Sequence, residues 1–94
     1  MGTKPRQKPE RLAEKLRQIR DALGLSQSEM LKRLEADELI AYNEISKYEL
    51  GLREPTLLIL LRYARVAGVC PEALIDDELD LPARLPGKTK HTRH

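Results

Sequence analysis

Asn43, Ser46 and Lys47 stand within five residues of one another and carry an amide, a hydroxyl and an ammonium, groups that make directional hydrogen bonds. Between them Ile45 and Tyr48 form an apolar pair at helical i, i+3 spacing, which turns the polar trio to the other faces before Gly51 ends the element. A short helix with one buried stripe and a small polar exposed face suits insertion into a groove. Covalent and acid-base chemistry lack their parts. Cys70 is the single cysteine, the two histidines, His91 and His94, lie at the C-terminal end, and no nucleophile, base and orienter set or metal-ligand spacing occurs. The expectation is therefore a protein that is not an enzyme, with no metal and no cofactor.

The elements that must hold these residues are all helical. Leu12, Leu16, Ile19 and Leu23 recur at spacings of 4, 3 and 4, predicting a first helix from Glu10 to Leu23 with one buried face. Gly24 then supplies a left-handed C-cap, and Ser26 with Glu29 three residues on forms a capping box that opens a second helix reaching Leu34. That helix buries Met30, Leu31 and Leu34 and leaves Lys32 and Arg33 outside. Pro55 breaks the chain after the third helix, Thr56 caps a fourth, and Leu57, Leu60, Leu61, Ala64 and Ala67 give it the most apolar stripe of the sequence. Gly68 ends it, Pro71 suits the first turn of a short fifth helix, and Leu74 and Ile75 are expected to close the core. Past Asp80 the two prolines Pro82 and Pro86 exclude a regular helix.

Ninety-four residues make one small domain, with no long apolar run and no charged-then-apolar leader, so neither a membrane span nor a secretory signal is expected. No Phe or Trp is present and Tyr occurs three times, so the core is built from Leu, Ile, Val and Ala, which favours close helix packing over a sheet. The net charge is +2, yet Lys4, Arg6, Lys8, Lys88, Lys90 and Arg93 place six positive charges in the tails and leave −4 for Glu10 to Leu85. Five acids, Glu72, Asp76, Asp77, Glu78 and Asp80, cluster late and read as a solvated face. A polyanion must be met by a local patch or by the tails. The organisation that follows is a flexible basic arm over 1–9, a helical domain over 10–80, and an extended Pro-containing segment with a basic tail over 81–94.

Taken in order, Leu-Ser-Gln at 25–27, Ile-Ser-Lys-Tyr-Glu-x-Gly at 45–51, Arg-x-Pro at 53–55 and Leu-x-x-Leu-Leu-x-x-Ala-x-x-Ala-Gly-Val at 57–69 make residues 10–75 resemble the Cro/repressor helix-turn-helix domains. This lambda-repressor-like, XRE-type family has a compact five-helix fold. The resemblance implies a sequence-specific DNA-binding homodimer, with the third helix in the major groove and half-sites one helical turn, about 34 Å, apart. Carried over by position, Tyr42, Asn43, Ser46 and Lys47 become base-contacting residues, Asn43 by pairing bidentately with adenine. Gln27, Lys32 and Arg53 become phosphate-contacting residues, and Lys4, Arg6 and Lys8 arm contacts in the neighbouring minor groove or along the backbone. Tyr48 and Glu49 fall at positions of architecture. Further implications are transcription regulation, most simply as a repressor on a palindromic operator, and a bacterial or phage-encoded cytoplasmic protein associated with the nucleoid when bound.

The resemblance is broken between Leu34 and Ile45, where the chain is roughly four residues longer than the family pattern, close to one helical turn. In one reading Asp37 caps a recognition helix extended at its start, and Leu39 shares a face with Asn43 and Ser46. In the other the turn is longer and the third helix begins at Ala41, with Glu44 reaching back to the cap, Ile40 stapled to Ile45 and Leu39 covering the core. A function of another class also fits the neutral body, the apolar Leu39-Ile40 and the late segment Leu79-Asp80-Leu81-Pro82: an adaptor, or the antitoxin of a toxin-antitoxin pair, that uses the same fold to bind a protein.

Overall fold

The computed structural model describes residues 8–87, and among these residues all regular structure is helical. In chain order the elements are α1 (Leu12–Leu23), α2 (Gln27–Arg33), α3 (Glu44–Glu49), α4 (Leu57–Ala67) and α5 (Pro71–Ile75). α1 packs on α3 and α5, α2 on α3, and α4 on α5. Leu16, Ile19, Met30, Leu34, Ile45, Tyr63 and Leu74 meet in the centre of one core. Three expected core members are not there: Leu57 is 83% exposed, Ile75 46% exposed, and Leu61 is only half-buried, Ile59 and Tyr63 filling the core from α4 beside Leu60, Ala64 and Ala67. Leu57 and Ile75 lie at the ends of their helices.

Local chemistry sets the helix ends. Ser26 accepts the Glu29 N–H at 3.1 Å and the Glu29 carboxylate accepts the Ser26 N–H at 2.8 Å, closing the capping box. The Ser26 N–H bond to the carboxylate, with the Ser26 hydroxyl beside it, favours the charged form and holds Glu29 below the usual glutamate range. Thr56 likewise caps α4, accepting the Ile59 N–H at 3.3 Å. α1 has no cap from its own N-cap side chain. Asp77, far along the chain, accepts the N–H of Glu10 at 2.9 Å and of Arg11 at 3.1 Å, while Arg11 donates to the Asp77 carbonyl and to the Asp80 carboxylate. The late acidic cluster is thus not only a solvated face, since two of its members fasten the start of α1.

At the other end of the same junction Lys15 is fully buried and donates from Nζ to the carbonyls of Ala73 and Asp76, both at 2.8 Å. It satisfies the C-terminal carbonyls of α5 and places a cation at the negative end of that helix. Leu81 and Leu85 carry the chain back onto the core, Leu85 at 2% exposure, and Gly87 lies buried against the carbonyl of Val66.

Residues 34–43 form a turn, and α3 has no additional N-terminal turn. α2 closes with the Ala36 N–H bonded to the Leu31 carbonyl at 3.2 Å and the Glu35 N–H to that of Lys32 at 2.9 Å. This Schellman closure puts Glu35 at φ 56°, a left-handed conformation that glycine fills at the ends of α1, α3 and α4. Arg62 of α4 completes the end by donating to the carbonyls of Leu34 at 3.1 Å and Glu35 at 2.6 Å. Ala36 is buried and Ile40 packs on the core, as the longer-turn reading requires. Three details of that reading do not hold. α3 begins at Glu44 instead of Ala41, the Glu44 carboxylate turns to Lys47 and Arg53 instead of reaching back to the cap, and Leu39 points outward at 59% exposure because Ala36 and Ile40 already cover the core here.

Candidate nucleic-acid interface

α3 is held by its buried side and by one polar junction. Ile45 and Tyr48 are in the core, and burial raises the Tyr48 phenol above its ordinary value. Next to them the Glu49 carboxylate, 3% exposed, receives the Arg20 guanidinium in a two-point contact of 2.6 and 2.9 Å. Arg20 also donates to the Leu25 carbonyl at 3.0 Å, and Gln27 Nε2 donates to Glu49 at 3.2 Å. One carboxylate therefore ties α1, the α1–α2 turn, the start of α2 and the end of α3 together. The pairing holds the Arg20 guanidinium above its already high ordinary value. Behind it the hydroxyl of Tyr63 is buried and has no hydrogen-bond partner among the described residues, and burial pushes its pKa far up.

Outward from this brace, Tyr42 and Asn43 form the approach to α3, with Tyr42 84% exposed. Asn43 holds the N-cap position at φ −94° and ψ 3°, yet its side chain makes no cap hydrogen bond. An amide that usually serves its own helix is left for another partner. Ser46 and Lys47 follow on the helix, both half-buried. The Glu44 carboxylate, 13% exposed, lies 3.7 Å from Lys47 Nζ and 3.5 Å from Arg53 Nε. The acid thereby holds two cations beside the exposed end of α3 instead of acting as an isolated negative charge.

The remaining predicted contacts divide into those near this surface and those apart from it. Arg53, 59% exposed on its side chain, joins the surface through Glu44. Lys8 and Arg53 line one cleft with Leu12, Gly51 and Pro55, so the chain enters the domain beside the loop that carries Arg53. Lys32 is exposed on the outer side of α2. Gln27 is partly buried and bonded to Glu49, which gives it a positioning contact within the fold. Lys4 and Arg6 lie outside the described residues.

Sequence reasoning missed Arg20, the partner of Glu49 across 29 positions, and Arg62, which closes α2 across 28 and 27. The available signal was placement: Arg20 borders the apolar stripe of α1 and Arg62 that of α4, where an isolated cation needs a partner. Lys15 adjoins Leu16 in the same way.

The protein-family model HTH_3, described as helix-turn-helix, matches residues 16–74, which is more than half of the chain. No curated protein matches. The crystal structure of a hypothetical transcription factor, NHTF, from Neisseria superposes with a TM-score of 0.59 at 23% sequence identity, over 86% of this chain and 90% of that one. At that identity the likeness is one of fold. With capped helices 16–74 arranged around the Arg20–Glu49 brace and the family model spanning the same residues, the chain belongs to the helix-turn-helix family of Cro/repressor, XRE type.

Proposed function

We propose that this protein is a sequence-specific DNA-binding transcriptional regulator that reads the major groove with the start of α3. The observation that carries the reading is the uncommitted amide of Asn43 at the entrance to α3, flanked by exposed Tyr42 and by Lys47 and Arg53 on Glu44. Asn43 pairs with adenine N6 and N7, Tyr42, Ser46 and Lys47 reach neighbouring base edges, and Arg53, Lys32 and Gln27 meet phosphates. Lys8, which lines a cleft with Arg53, extends the backbone contacts, and Lys4 and Arg6 of the basic arm are assigned as further contacts of the same kind.

The regulator acts as a homodimer on a palindromic operator, most simply as a repressor that occupies the site against polymerase. Support for self-association comes from Leu50, Leu52, Leu57 and Leu58, 67–83% exposed on the loop and helix start that follow α3. Solvated leucines gathered beside a recognition helix form an apolar surface that a second copy covers, setting the spacing of two helices. Among the described residues no helix is long and apolar enough to cross a membrane, and a cytoplasmic location fits the partner.

A second reading, the adaptor or antitoxin, draws on Leu39, which stands exposed on the inserted turn. Selection from random duplexes separates the two. The regulator enriches a palindrome and binds it with a steep salt dependence. If no duplex is enriched while substitution of Leu39 abolishes capture of a protein partner, the adaptor reading replaces it.

A further inference from the structure

Three arginines meet in a cleft at the end of α2 remote from the Arg20–Glu49 brace. Arg33 comes from the last turn of α2, Arg62 and Arg65 from α4, and Leu34, Glu35 and Val66 complete the walls around about 300 Å³. α2 has seven residues, so this cleft lies roughly 10 Å along the helix from Gln27.

Arg62 is already fixed in place. Its Nη1 donates both to the Leu34 carbonyl at 3.1 Å and to the Glu35 carbonyl at 2.6 Å. Nε and Nη2 have no hydrogen-bond partner among the described residues, and that edge presents two parallel N–H groups matching a carboxylate or a phosphate. Because the side chain is pinned through its other nitrogen, little conformational freedom remains to be lost on binding. Arg33 and Arg65 are exposed, and neither forms an ion pair with a described residue. Glu35 is the one carboxylate of the lining, so the cleft carries an excess of positive charge.

We propose that this cleft binds a small polyanion bearing phosphate or carboxylate groups, with Arg62 as the preformed fork and Arg33 and Arg65 closing on the ligand from α2 and α4. Its volume is at the lower end for small-molecule sites and well short of what a peptide chain or a duplex fills. The site is separate from the residues assigned to base reading and stands whether or not that assignment holds. Arg62 connects it to the first residues of the turn that leads into α3, so an occupant registers in the amides of that turn.

The test is a ¹H–¹⁵N titration of the full chain with sodium pyrophosphate and with citrate, ionic strength being held constant with sodium chloride. Saturable shifts are expected at the amides of 33–36 and 62–66. Arg33→Gln with Arg65→Gln should weaken the binding at least about tenfold while the melting temperature stays put. Stronger binding of pyrophosphate identifies a phosphate ligand and stronger binding of citrate a carboxylate; either sustains the proposal. Shifts that grow linearly without saturation, that chloride reproduces, or that survive the double substitution overturn it. So does displacement of the anion by a duplex that shifts the same amides, which makes the cleft part of a DNA-backbone contact.

Discussion

Asn43 stands at an N-cap without acting as one, so its removal separates architecture from recognition. Asn43→Ala should change the unfolding free energy by less than about 0.5 kcal/mol in denaturant titration, where loss of a working cap costs about 1 kcal/mol. Glu49 is the opposite case. Glu49→Ala leaves the Arg20 guanidinium, 14% exposed, without its partner and is expected to cost about 3 kcal/mol in the same measurement. Tyr63→Phe should stabilise by about 1 kcal/mol, since the buried hydroxyl gains no hydrogen bond from the described residues to offset its desolvation. At this scale the sequence was legible where partners are near. The Ser26–Glu29 box lies within one turn and was read directly. The Arg20–Glu49 contact joins α1 to α3 across 29 residues, and the resemblance identified Glu49 as structural without naming what it holds.

Five helices follow from apolar periodicity and from glycines at three helix ends, which is why their order and most of their bounds could be read in advance. The end of α2 was read to within one residue, but its closure was not, because Glu35 takes the left-handed position usually left to glycine. Arg62, from α4, donates to two carbonyls at this end, a tertiary contact with no local pattern. Glu35→Gly should therefore raise stability by about 0.5–1 kcal/mol, measured as a higher denaturant midpoint at unchanged slope. The start of α3 was misplaced for a related reason. Ala41, Tyr42 and Asn43 permit a helix, but Ala36 and Ile40 anchor the turn to the core and delay it to Glu44.

Across the whole molecule the two chain ends of the domain are fastened to each other by charge. Asp77 accepts the N–H groups of Glu10 and Arg11, which lead into α1, and these bonds together with the Arg11 side chain hold Asp77 and Asp80 below the usual aspartate range. Carboxylates so depressed contribute stability above the unfolded-state value of about 4, and that contribution is lost as pH falls through their lower folded values. Acid unfolding should begin below about pH 4, and Asp77→Asn should flatten that limb of the stability profile while lowering the neutral-pH melting temperature. The composition of the acidic cluster was plain in the sequence; its partner at the start of α1 was not, being more than sixty positions away.

Tyr42 and Asn43 stand exposed at the approach to α3, the surface proposed to read a groove. Fluorescence anisotropy with the palindromic duplex selected from a random pool, comparing the wild-type chain with Asn43→Ala, bears on this most directly. Asn43→Ala should lose about 1–3 kcal/mol of affinity for the selected site while binding to random duplex and the salt slope stay unchanged. An equal loss on both duplexes, or no loss on the selected one, contradicts base reading by the start of α3.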